Sequence, residues 1–203
     1  VILGQELEVG KDIVAAMRNH PGSAIIQENA CSALWNLAAN DRNQVILGQE
    51  LEVGKDIVAA MRNHPASGDV QRYACSALRS LAFNGRNKVI LGQELEVGKD
   101  IVAAMRNHPG SAIIQENACG ALWNLASNDR NKVILGQELE VGKDIVAAMR
   151  NHPASAIIQE KACGALWNLA VNDRNKVILG QELEVGKDIV AVMRNHPASA
   201  IIQ

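Results

Sequence analysis

An all-α solenoid is the fold class this sequence predicts, and three observations predict it. A block reading Val-Ile-Leu-Gly-Gln-Glu-Leu-Glu-Val-Gly begins at Val1, Val45, Val89, Val133 and Val177, so the 203 residues repeat every 44 without an insertion. That period divides a single repeat domain, 1–203, into units 1–44, 45–88, 89–132 and 133–176 and a partial fifth, 177–203. A fixed period of this size marks an array whose units stack on their neighbours around one elongated core. Within each unit the apolar residues recur at helical spacing. The composition agrees: 48% of residues are hydrophobic but only 2% aromatic, a core of Ala, Val, Ile and Leu that suits closely apposed helices.

Each unit reads as a short helix followed by two longer ones. In the fourth, Asn128-Asp129-Arg130-Asn131 supplies amino-terminal caps. A short first helix through Lys132, Val133, Ile134 and Leu135 is predicted to stop near Gly136, and packing must hold it because so few turns are marginal alone. The second helix is predicted from about Glu138 to Asn151-His152. Its stripe is Val141, Ile145, Ala148 and Met149, with Lys143, Asp144, Arg150 and Asn151 elsewhere. Early acids and a late Arg and His complement its dipole, and Pro153 forbids its continuation. The third helix is predicted from Ala156 to Ala170 with Ser155 as cap. Its face of Ile158, Ala162, Ala165, Leu166 and Leu169 includes small residues that let neighbouring helices approach.

This pattern resembles the armadillo repeat over the whole chain. The resemblance rests on the three-helix layout, the unit length, the glycine after the first helix and the third-helix ending Ala-Leu-Trp-Asn-Leu-Ala. It implies a right-handed armadillo-like superhelix; two-helix HEAT repeats are the runner-up. It also implies a concave groove lined by third helices, in which an Asn ladder holds the backbone of an extended peptide. Here that ladder is Asn36, Asn124 and Asn168, interrupted by Ser80. An Asn carboxamide offers an acceptor and two donors and so can bracket a peptide unit without reading its side chain. With helices on the order of 10 Å apart and extended chain advancing about 3.3 Å per residue, four units would serve roughly ten peptide residues.

Trp35, Trp123 and Trp167 immediately precede those Asn residues. Two roles are open to them, contact anchors on the groove or packing against the next unit's third helix. Family members that bind nuclear-import signals carry Trp four residues before the Asn. This chain has Ser32, Ser76, Gly120 and Gly164 there, which puts importin-like recognition of basic peptides in doubt. The second unit departs on the same face, with Asp69-Val70-Gln71-Arg72-Tyr73 and later Arg79, Ser80 and Phe83. Arg72, Tyr73, Arg79 and Ser80 fall mostly on the predicted groove side, as a local pocket for an acidic or phosphorylated side chain would require. The alternative is simple drift in one duplicated unit.

A net charge of −2 argues against nucleic acid or an anionic membrane as the partner. Unit by unit the balance is −2, +2, −1, 0 and −1, so the second unit is the electrostatic exception. Cys31, Cys75, Cys119 and Cys163 are one position repeated, without zinc-site or redox-pair spacing, and read as buried reduced thiols in a soluble cytoplasmic or nuclear protein. The apolar runs are short and interrupted by charge, so no membrane span is expected. His20, His64, His108, His152 and His196 lie a unit apart and each precedes a proline, which favours helix caps over metal ligands. With no catalytic constellation visible, neither an enzyme nor a cofactor is expected.

The functional expectation is therefore a noncatalytic scaffold for protein binding, whose partner is an extended peptide or disordered segment. The alternative is a structural or designed array with no evolved ligand, self-associating into homo-oligomers through uncapped apolar ends. Residues 1–21 recur in the later copies with one change, Ala16 becoming Val192 in the last. Consensus engineering or a recent tandem duplication would each explain that identity.

Overall fold

A computed structural model describes residues 2–196, with side chains from Glu8 onward. Every regular element among the described residues is helical. The first unit contains α1 (Ile2–Asn19) and α2 (Ala24–Leu37). The second contains α3 (Asp41–Val45), which begins just before it, then α4 (Gly54–Asn63) and α5 (Gly68–Leu81). The pattern recurs as α6 (Gly85–Val89), α7 (Gly98–Asn107) and α8 (Ala112–Leu125), then as α9 (Asp129–Val133), α10 (Gly142–Asn151) and α11 (Ala156–Ala170). α12 (Asp173–Val177) and α13 (Val185–Asn195) follow.

The first helices start where the sequence predicts and end differently. Asn40, Asn84, Asn128 and Asn172 cap them, each accepting from the backbone N–H groups two and three residues on. Gly136 does not close its helix. It lies inside a π-helical turn, Ile134–Glu138, that extends α9 and recurs at Ile46–Glu50, Ile90–Glu94 and Ile178–Glu182. The reversal comes later, at Glu52, Glu96, Glu140 and Glu184, which hold φ of 48–50°. Each forms an ion pair with the lysine three residues on. The second helices consequently begin at Gly54, Gly98 and Gly142, four residues later than the periodicity predicts for the fourth unit.

The glycine in the π turn has a different purpose, which is to receive a side chain from the next unit. A Cβ on Gly92 would stand 2.3 Å from Nδ2 of Asn131, and Gly48 and Gly136 meet Asn87 and Asn175 in the same way. Those carboxamides are inter-unit hooks. Asn131 Nδ2 donates to Lys88 O at 2.9 Å and to Leu125 O at 3.1 Å, and Asn175 repeats this on Lys132 O and Leu169 O.

Second helices are joined along the stack by a ladder of bidentate ion pairs. Arg62 Nε and Nη2 donate to Asp100 at 2.7 and 3.0 Å, and Arg18–Asp56, Arg106–Asp144 and Arg150–Asp188 match it. Each aspartate lies in the first turn of its helix, where the dipole also favours it. The hydrogen bond to the carboxylate, then its charge, raises the arginine pKa in each pair. The histidines do stand at helix carboxy ends, yet their rings reach across units. Nε2 of His64, His108, His152 and His196 donates to the carbonyl of Pro21, Pro65, Pro109 and Pro153 at 2.7–2.9 Å.

Third helices form the second layer, with α2, α5, α8 and α11 packed in succession and each resting on its own unit's second helix. α11 spans the residues its apolar face predicts. Ser67 and Ser155 cap through their hydroxyls, whereas Ser23 and Ser111 stand at the cap without a side-chain bond. Buried Gln27, Gln71, Gln115 and Gln159 tie the layers, each Nε2 donating to the methionine and histidine carbonyls that end the second helix. Between the layers lie Ile57, Met61, Val70, Leu78 and their equivalents, with Cys31, Cys75 and Cys119 fully enclosed. Burial pushes those three thiols up to about 12.

Candidate functional site

The third-helix face carries the residues that the resemblance singles out, although not all in the same condition. Asn124 and Asn168 are half-buried. Asn124 Nδ2 donates to Arg79 O at 3.0 Å and Asn168 Nδ2 to Trp123 O at 2.9 Å, so each is bonded to the preceding third helix. Asn36 is exposed, and its Nδ2 donates to Ser32 O within its own helix. The three are therefore equivalent in sequence but not in bonding.

The tryptophans divide likewise. Trp123 packs on the next unit: a Cβ at Gly164 would stand 2.6 Å from its indole, and Lys161 Nζ lies 5.1 Å from the ring centre. Trp35 is 39% exposed and Trp167 70% exposed. The Trp35 ring centre is 6.1 Å from that of Tyr73, tilted by 40°.

At the second unit these side chains enclose a cavity of about 360 Å³ between α2, α5 and α8. Trp35, Tyr73 and Ile113 form its apolar surface, and Arg72, Ser76, Arg79, Glu116 and Asn117 its polar one. The Arg72 Cζ lies over the Tyr73 ring, 4.1 Å from its centre, a cation–π contact. Its Nη2 is 3.6 Å from Asp69, longer than a hydrogen bond, and its Nε is buried with no acceptor. Arg79 differs in making a hydrogen bond, Nη1 donating to Asn117 Oδ1 at 3.3 Å; its ion-pair contact with Glu116 is longer still, 3.8 Å, and it lies against Gly120.

Four of the expected site residues thus come together: Trp35, Arg72, Tyr73 and Arg79. Ser80 is half-buried and does not line the cavity. Ile113, Glu116 and Asn117 complete it from the following unit, a contribution that reading one unit at a time misses. The available signal was the stacking offset, because Arg79–Asn117 and Arg62–Asp100 both span 38 residues.

Among the described residues no three His, Cys, Asp or Glu side chains gather as a metal site would require, and no helix is long and apolar enough to cross a membrane. A family model described as LRRK2 ARM repeat matches residues 37–203. No curated protein matches the chain.

Proposed function

Because the chain belongs to the LRRK2 ARM repeat family, we propose that it is a noncatalytic protein-interaction scaffold holding an extended peptide, or a disordered segment of a partner, along α2, α5, α8 and α11. The observation that carries this reading is the cavity spanning three successive third helices, with a half-exposed tryptophan and two guanidinium groups in its surface. Asn124 and Asn168 each engage one N–H with the preceding helix. Each carboxamide keeps its oxygen and a second N–H, the pair that brackets a peptide unit. Asn36 holds no bond to a neighbouring unit. Trp35, Trp123 and Trp167 supply apolar contact, with Arg72, Tyr73, Arg79 and Ser80 at the second unit. Four unpaired cysteines support a reducing compartment, cytoplasm or nucleus.

The test is binding of the chain to an array of extended peptides of about ten residues, beside Asn36→Ala and the triple variant with Asn124→Ala and Asn168→Ala. Peptides that bind the parent should lose about tenfold in affinity to the triple variant, the scale of one or two hydrogen bonds, with helical circular dichroism retained. Asn36→Ala is the cleaner variant because it breaks no inter-unit bond. Equal binding by all three proteins would remove the ladder.

A second reading, self-association, is supported by a separate observation. Trp167 borders an apolar hollow of about 310 Å³ with Leu166, Ala170, Leu179, Val185 and Ile189. Sedimentation velocity over a concentration series decides it: on this reading Trp167→Ala shifts the distribution towards monomer.

A further inference from the structure

The cavity at α5 exists because the second unit departs from its neighbours, and the departures share a chemistry. At the next junction the counterpart of Arg79 is Trp123, whose indole lies on Gly164 as Arg79 lies on Gly120. Here Arg79 replaces the tryptophan, folds onto Gly120 and leaves the hollow open beside it. The same unit carries the chain's local excess of positive charge, +2 against −2, −1 and 0 in the other full units.

The two guanidinium groups are not equivalent. Arg79 donates a hydrogen bond to Asn117 and lies 3.8 Å from Glu116. Arg72 has only the long contact to Asp69, whose side chain is 60% exposed, and a buried Nε without an acceptor. A guanidinium carries five N–H donors in a planar fork suited to two oxygens. This one lies over the Tyr73 ring, its Cζ 4.1 Å from the ring centre. A half-buried cation over an aromatic face whose guanidinium makes no hydrogen bond among the described residues is a receptor for an anion. A cationic occupant is disfavoured, since the lining sets two guanidinium groups, Arg72 and Arg79, against one carboxylate, Glu116.

We propose that this cavity receives one anionic side chain of the peptide held on the third-helix face, its stem against Trp35 and Ile113 and its anion on Arg72. The inference rests on the peptide reading above and adds to it a single selective position. A carboxylate and a phosphate ester share the chemistry required, two or more oxygens in one plane of the fork.

The experiment is a positional scan of an array peptide that binds the intact chain. Each position is replaced in turn by Glu, phosphoserine or phosphotyrosine, and by the neutral counterparts Gln, Ser and Tyr. Affinities are measured by fluorescence anisotropy at low and high salt. One position should favour the anion by about tenfold, with the preference shrinking as salt rises. Comparing the Glu arm with the two phosphorylated arms identifies the anion. Arg72→Gln should abolish the preference, bringing each anionic peptide down to the affinity of its neutral counterpart on the same variant, and Arg72→Lys should retain part of it, since charge survives but the fork does not. Circular dichroism confirms that both variants are folded. Neutral peptides binding all three proteins with no anion preference would overturn this inference and leave the peptide reading standing. An array in which no peptide binds the parent chain would remove both.

Discussion

The junction between α5 and α8 and the junction between α8 and α11 have the same backbone attachments and different side-chain fillings. In each, an Asn near the end of the later helix donates to a carbonyl of the earlier one, Asn124 to Arg79 and Asn168 to Trp123. In each, a second Asn hooks the first-helix layer, Asn131 to Lys88 and Asn175 to Lys132. What lies on the third-helix face differs: an indole packed on glycine in one, a guanidinium beside an open cavity in the other. The comparison teaches that register belongs to carboxamides bonded to main chain, which read no side chain. The outer face of the third helix is left free to vary. That division lets a near-identical array carry one distinctive position.

The largest expected effect comes from breaking the shared attachment. Gly92→Ala sets a Cβ 2.3 Å from the Asn131 carboxamide. Overpacking together with the loss of Asn131's two hydrogen bonds, one buried and one part-buried, should cost about 3–5 kcal/mol, read by urea denaturation with circular dichroism. Asn131→Ala alone should cost about 2–3 kcal/mol. The double variant should cost clearly less than the sum, because removing the carboxamide makes room for the methyl group. Strict additivity would show that the hook is not seated in the glycine as described.

Next in size is an alkaline effect on the thiols. A buried thiol pushed up to about 12 keeps its proton in the folded state after the unfolded chain has lost it. Stability is therefore full below the ordinary thiol pKa and falls above it, at about 1.4 kcal/mol per pH unit for each such group. Replacing Cys119 with Ala should flatten that slope. Half-buried Cys163, raised by the same desolvation, should react with iodoacetamide before Cys75 and Cys119, as mass spectrometry would show. Equal rates would contradict the difference in enclosure.

Smaller effects sharpen the contrast between the fillings. Trp123→Ala should cost about 1–2 kcal/mol through lost packing on Gly164. Trp167→Ala, at 70% exposure, should change stability by less than about 0.5 kcal/mol. Arg79→Trp should convert the first junction towards the second, with a gain below about 1 kcal/mol and loss of the cavity.

Much of this was legible from period and spacing, and the remainder had definite physical reasons for being hidden. The span of α11 follows from its apolar face, and the first-helix caps from Asn128 and its equivalents. The reversal at Glu140 left no mark, because a left-handed residue usually announces itself as Gly or Asn and this one is Glu. Gly136 misled for the converse reason: its signal suggested termination, while its function is close approach of Asn175. Gln27 and its equivalents, each between an apolar residue and a charged one, carry no mark of burial in their own type. Their persistence in unit two, where Asp69 and Arg72 replace the residues around Gln71, was a usable sign that they are buried. At the site, Arg72, Tyr73 and Arg79 were visible as substitutions on one face. Glu116 and Asn117 were not, because their role exists only across a junction.

The most direct test of the account is photo-cross-linking of an array-selected peptide carrying benzoylphenylalanine, followed by mass spectrometry of the adducts. Adducts should fall on α2, α5, α8 and α11, with Trp35, Tyr73 and Ile113 among the labelled residues. Adducts confined to α4, α7 and α10, in the other layer of the stack, would contradict the assignment of the third-helix face as the binding surface.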